Sequence, residues 1–110
     1  MLEATLEVTT GGGVSFTYRV RNEGDEDATL TFSTGQRAEF EVYDGDERVW
    51  RWSDDRMFAQ LLGEEVLAPG ESLTVEGAWD APEGGEYTAV ASLAANEAGD
   101  ETAARVDFEV

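Results

Sequence analysis

The sequence predicts an all-β protein built as an antiparallel sandwich, and three observations lead there. Apolar and polar residues alternate with a period of two through most of the chain, as half-buried strands require. Turn-forming residues interrupt that alternation roughly every 6 to 12 residues. No segments of helical period alternate with the strands, so a parallel sheet would have nothing to cover its faces. Together they describe an immunoglobulin-like, two-sheet Greek key of about 8–9 short strands with one short helix or 3₁₀ turn. A closed barrel is the alternative.

Leu2, Ala4, Leu6 and Val8 form the first inward set, and a Gly11-Gly12-Gly13 turn follows. Val14, Phe16, Tyr18 and Val20 alternate with Ser15, Thr17, Arg19 and Arg21, the clearest half-buried strand. Residues 22–27 read as a polar turn. Leu30 and Phe32 make a third strand, and a break at Thr34-Gly35-Gln36 leads to Ala38, Phe40 and Val42 in a fourth. Asp44-Gly45-Asp46 has hairpin chemistry and returns the chain through Val49, Trp50, Arg51 and Trp52, with the two tryptophans on one face. From Ser53 the period changes. Met57, Leu61 and Leu62 stand near helical spacing behind Ser53 or Asp54 as N-cap, which predicts the short helix or 3₁₀ turn within residues 54–62. Residues 64–67 then form a short strand, and Pro69-Gly70 occupy the centre of a type II turn. Leu73, Val75, Gly77 and Trp79 line the next strand, and residues 80–85 read as a loop. Tyr87, Ala89, Ala91 and Leu93 line another strand, residues 96–100 turn, and Ala104, Val106, Phe108 and Val110 close the chain.

At 110 residues the chain reads as one domain, 1–110. A chain of this size buries about 65% of its unfolded surface, enough for a core without staples. The absence of cysteine removes disulfides and thiolate metal sites, and the absence of histidine removes Ser-His-Asp and Cys-His catalysis and His-ligated zinc. No apolar run reaches the length of a membrane span, and the N-terminus reads as a strand with no signal-peptide core. No enzymatic group pattern and no cofactor motif emerge, so the function reads as binding. The net charge is −18, from 25 acidic residues against seven arginines and no lysine. A nucleic acid or an anionic membrane surface would be repelled. The acidity can face a basic partner, or it can be an adaptation to molar salt, where screening over a few ångströms removes self-repulsion. Acids spread along the whole chain favour the second reading and a cytoplasmic, halophilic setting, with a haloarchaeal source.

Carboxylate groups are too common here to mark a site by themselves. Asp44, Asp46 and Glu47 have no EF-hand spacing and read as a plain hairpin rather than a Ca²⁺ loop. Gly11-Gly12-Gly13 lacks the lysine and following helix of a phosphate loop. At least two of Trp50, Trp52 and Trp79 are expected between the sheets. Against that stands an aromatic patch around Trp52, Met57 and Phe58, of the kind that anchors protein interfaces. Arg37 and Arg56 fall in the breaks between strands, either presented to a partner or paired with neighbouring carboxylates.

The run Phe32-Ser33-Thr34-Gly35-Gln36, then Phe40-Glu41-Val42, Val49-Trp50-Arg51-Trp52-Ser53, Met57-Phe58-Ala59-Gln60 and Leu67-Ala68-Pro69-Gly70-Glu71 resembles the intracellular proteinase inhibitor family typified by BsuPI. Trp79, the strand start Gly85-Glu86-Tyr87-Thr88 and the turn Arg21-Asn22-Glu23-Gly24 fit the same pattern. The resemblance spans residues 14–94 and implies an immunoglobulin-like sandwich and inhibition of an intracellular, subtilisin-like serine protease by occlusion. The chain departs from the family in its heavy acidity. The candidate protein-binding residues are Gly35, Gln36, Arg37, Trp52, Arg56, Met57 and Phe58, within the turn 34–37 and the stretch 53–63. A different class of function, an adaptor sandwich that binds a protein or its own copy through a sheet edge, remains beside it. The oligomeric state is not readable from the sequence.

Overall fold

The computed structural model describes residues 1–80 and 84–110. The part of the predicted 80–85 loop at residues 81–83 lies outside them. Nine strands follow in order: β1 (Leu2–Thr10), β2 (Val14–Asn22), β3 (Ala28–Phe32), β4 (Ala38–Asp44), β5 (Glu47–Arg51), β6 (Gly63–Leu67), β7 (Ser72–Trp79), β8 (Glu86–Leu93) and β9 (Ala104–Glu109). Single 3₁₀ turns occupy Trp52–Asp55 and Asp100–Thr102. All pairings are antiparallel, in sheets ordered β1-β2-β7, β5-β4-β8-β9 and the pair β3-β6. The sheets are open-edged, so the barrel alternative falls and the sandwich stands. No helix of the described residues is long and apolar enough to cross a membrane.

The inward sets read from the alternation are the ones that pack. Phe16, Tyr18, Val20, Leu30, Phe32, Phe40 and Val42 are all essentially inaccessible. Phe16 of one sheet stacks on Phe40 and Trp50 of the other at 5.6 and 5.7 Å between ring centres, and meets Phe108 edge-on at 6.2 Å. Trp52 and Trp79 are buried, and Trp50 stacks on Trp79 across the sheets at 6.0 Å, so the tryptophans do fill the interior. A bulge between Val42 and Tyr43 sets Trp50 opposite the buried Val42 and leaves Val49 at the surface. Asp44 pairs with Glu47 across a tight hairpin, as its sequence predicts.

Two polar groups inside this shell were not visible as such in the alternation. Asn22, read as the start of a turn, is 1% exposed. Tyr18 lies in the core with its hydroxyl donating to the backbone carbonyl of Thr102 in the second 3₁₀ turn. The outer edge of β3 is also finished from a distance: Asn96 N–H donates to the Thr31 carbonyl, while Glu97 accepts from Thr31 N–H and Oγ1–H at 2.8 and 2.6 Å. Those bonds hold the Glu97 carboxyl below the usual carboxylate range.

The helical spacing of Met57, Leu61 and Leu62 does not produce a helix. The 3₁₀ turn lies earlier, at Trp52–Asp55, and closes with Arg56 N–H on the Ser53 carbonyl at 3.3 Å. Arg56 is already extended, at φ −127° and ψ 151°. The three apolar residues form no buried stripe: Met57 is 99% exposed, Leu61 71% and Leu62 86%. A helix here would have needed a face to bury them against, and the sandwich offers none.

Candidate functional site

Two connections meet at one side of the sandwich. Residues 33–37 join β3 to β4, and residues 52–62 join β5 to β6. Each is a break in the alternation, so neither is bound to a ladder. Gly35 N–H donates to the Ala59 carbonyl at 2.8 Å and ties them together. A side chain at position 35 would bring a Cβ within 3.3 Å of the Ala59 nitrogen, so glycine permits this approach.

Trp52 is the floor of the longer connection. It follows Trp50 by two residues and therefore turns inward with it, 8% exposed and edge-on to Phe40 at 5.4 Å. Its indole nitrogen is buried without a hydrogen-bond partner, beside Gly77 of β7. A Cβ at Gly77 would lie 3.0 Å from the Phe40 ring and 3.4 Å from that nitrogen, so the strand needs glycine to pass this close. The Arg56 guanidinium sits over the Trp52 ring at 4.4 Å, and the Phe58 ring packs on it at 5.7 Å. The turn beneath is fastened twice. Arg51 pairs with Asp54 at 2.7 Å, which holds the guanidinium above its ordinary pKa, and Ser53 N–H donates to Glu39 Oε1 at 3.1 Å.

The shorter connection is fastened as well. Arg37 lies over the Phe32 ring at 4.3 Å, donates to the Thr34 carbonyl at 3.1 Å and pairs with Glu65 at 3.5 Å. Gln36 turns back on itself, with its amide donating to the Ala38 carbonyl at 2.9 Å.

Of the seven candidate residues, Trp52, Arg56 and Phe58 pack together, and Gly35 joins their segment through Ala59. Gly35 braces the segment 56–59 from one side and Trp52 supports it from below, whereas Gln36 and Arg37 bond Ala38, Thr34 and Glu65 and, among the described residues, make no hydrogen bond or ion pair to that segment. Trp52 contributes no surface, so the aromatic patch expected around it is reduced to a partly exposed Phe58. Met57 faces solvent, whereas Arg56, though exposed, lies over the Trp52 ring. Leu61 and Leu62 belong to the same exposed surface, and the sequence disguised them as a helix face. Residues 33–38 and 56–63 contain no acid, in a chain with 25. Among the described residues no group of three or more carboxylates is placed to hold a metal ion. A surface depression of about 790 Å³, open to solvent, lies beside Asp44, Glu86, Asp107 and Glu109 and is lined by no residue of these connections.

Fold and site together define a β-sandwich that displays one braced apolar loop. The chain belongs to the intracellular proteinase inhibitor family, BsuPI, whose family model matches residues 2–98. No curated protein matches it. Among solved structures it is similar to β-glucosidase from Kluyveromyces marxianus, in a selenomethionine-labelled crystal structure (TM-score 0.54) and in a complex with glucose (TM-score 0.53). Each aligns at 14% identity over 100% of this chain and 14% of that one. The chain therefore spans about one seventh of the length of that enzyme, and the likeness is one of fold. The N-terminal domain of PorA aligns at 12% identity and TM-score 0.41, over 99% of this chain and 96% of that one.

Proposed function

We propose that this chain is a non-enzymatic inhibitor domain that occludes an intracellular, subtilisin-like serine protease, with segment 56–62 as the contacting element. Family membership supports a protease as partner. The observation that carries the choice of surface is the segment itself: exposed, apolar and acid-free, beginning in extended backbone and fastened to Trp52 and Gly35. An extended segment can pair with a substrate-binding strand of an enzyme, and bracing it beforehand reduces the ordering cost of binding. The test is a titration of a halophile's intracellular subtilisin-like protease with the domain in high KCl. Saturable loss of activity with the domain uncut is expected. Unchanged activity across a panel of such proteases would overturn the inhibitor reading in favour of the adaptor one.

The setting we propose is a salt-rich, haloarchaeal cytoplasm. Four ion pairs form among the described residues, and with 25 acids against seven arginines most carboxylates have no side-chain cation to pair with. The urea midpoint is expected to be clearly higher in about 3 M KCl, where the Debye length is near 2 Å, than in about 0.1 M. Equal midpoints would remove the salt-adaptation reading and return the charge to a basic partner.

A further inference from the structure

We infer that Met57 is the specificity-determining residue of this surface, and that the partner is a serine protease whose primary pocket is apolar and takes a long unbranched side chain. The inference rests on the inhibitor reading above and deepens it.

The neighbours of Met57 are all committed to the domain. Arg56 lies over the Trp52 ring at 4.4 Å, Phe58 packs on the same ring at 5.7 Å, and the Ala59 carbonyl accepts from Gly35 N–H at 2.8 Å. In extended backbone alternate side chains point to opposite sides. With 56 and 58 both turned onto Trp52, residue 57 is turned away, and its side chain is 99% exposed. The arrangement fixes the backbone around one apolar side chain that none of these contacts engages. A thioether chain adapts to an irregular apolar pocket. Leu61 and Leu62, exposed two and three residues beyond Ala59, extend the apolar contact along the cleft.

Arginine at the contact would define another partner, one with a carboxylate at the base of its pocket. Arg37 is held by Thr34, Phe32 and Glu65, and Arg56 by the Trp52 face.

The test uses the intact domain, a subtilisin-type protease with an apolar pocket, and two readouts. The first is the inhibition constant of Met57→Gly, Met57→Leu and Arg105→Gln. Met57→Gly is expected to weaken inhibition roughly tenfold to a hundredfold, while Met57→Leu stays near wild type. Arg105→Gln, an exposed position of β9 outside the contacting element, is expected to change it by less than about threefold. Because Met57 is almost fully exposed, Met57→Gly retains the fold, checked by near-ultraviolet circular dichroism. The second readout is the first cut made by excess protease, located by mass spectrometry and expected between Met57 and Phe58. If nothing is inhibited and the first cut falls there, the segment is a substrate, the inhibitor reading fails, and the assignment of Met57 that rests on it falls too. Inhibition that Met57→Gly leaves unchanged overturns the assignment and leaves the inhibitor reading intact. No inhibition and a first cut elsewhere overturns both.

Discussion

Asn22→Ala is expected to lower the unfolding free energy by about 2–4 kcal/mol. The residue ends β2 with its side chain almost completely buried. Its amide nitrogen donates to the Glu26 carbonyl at 2.7 Å and the Leu67 carbonyl at 2.8 Å, and its amide oxygen accepts from Gly24 N–H at 2.9 Å. Its own backbone bonds Glu71 and Gly70 at 2.9 and 2.8 Å. One side chain therefore closes the 23–27 turn and fastens it to the end of β6. Alanine keeps the backbone bonds but strands three partners, and a stranded buried group costs more than a made bond contributes. Asn22→Asp is expected to fare no better, since a carboxylate would face two carbonyl oxygens with no proton to give. Urea unfolding checks both variants. A midpoint for Asn22→Ala within error of wild type would show that water replaces the amide there.

Tyr18→Phe is expected to change how stability depends on alkaline pH. Burial raises the Tyr18 hydroxyl well above its ordinary value, and its bond to the Thr102 carbonyl only partly offsets this. The sign follows from proton counts. Above about pH 10 the unfolded chain releases the tyrosine proton while the folded chain keeps it, so stability falls as pH rises. The slope from this group is about 1.4 kcal/mol per pH unit until the raised folded value is reached. The chain has no lysine, cysteine or histidine side chain to titrate alongside Tyr18. Near neutrality Tyr18→Phe is expected to lose about 1–3 kcal/mol, because the Thr102 carbonyl is left without its donor. Between about pH 10 and 12 its stability should fall less steeply than the wild type's. Parallel curves would remove Tyr18 as the source.

The strands were legible because burial in a sandwich is written in the alternation itself. Phe16, Tyr18, Val20, Phe40 and Val42 announce their face by position, and each lies on that face. Asn22 was not legible because its partners stand up to 45 residues away, and a polar residue at a strand end reads first as a turn. Segment 56–62 was half legible. Its departure from the alternation and its lack of acids showed in the sequence, but the spacing of Met57, Leu61 and Leu62 imitates a helix face. What separates Met57 from Arg56 and Phe58 depends on where Trp52 lies, and that is set by the pairing of β5 with β4. Arg37 read as either presented or paired with a carboxylate, and the structure pairs it with Glu65, 28 residues on in the chain.

The tryptophans divide into two settings with different optical behaviour. Trp50 and Trp79 stack across the two sheets at 6.0 Å and 28°. Indoles that close share their excited states and give a circular-dichroism couplet, which exists only while the two sheets face each other. Trp52 carries Arg56 and Phe58 on its ring instead. A partner that draws Met57 into a cleft pulls on both, and the emission of Trp52 shifts while the couplet holds. One unlabelled sample can thus distinguish an engaged loop from a melting fold.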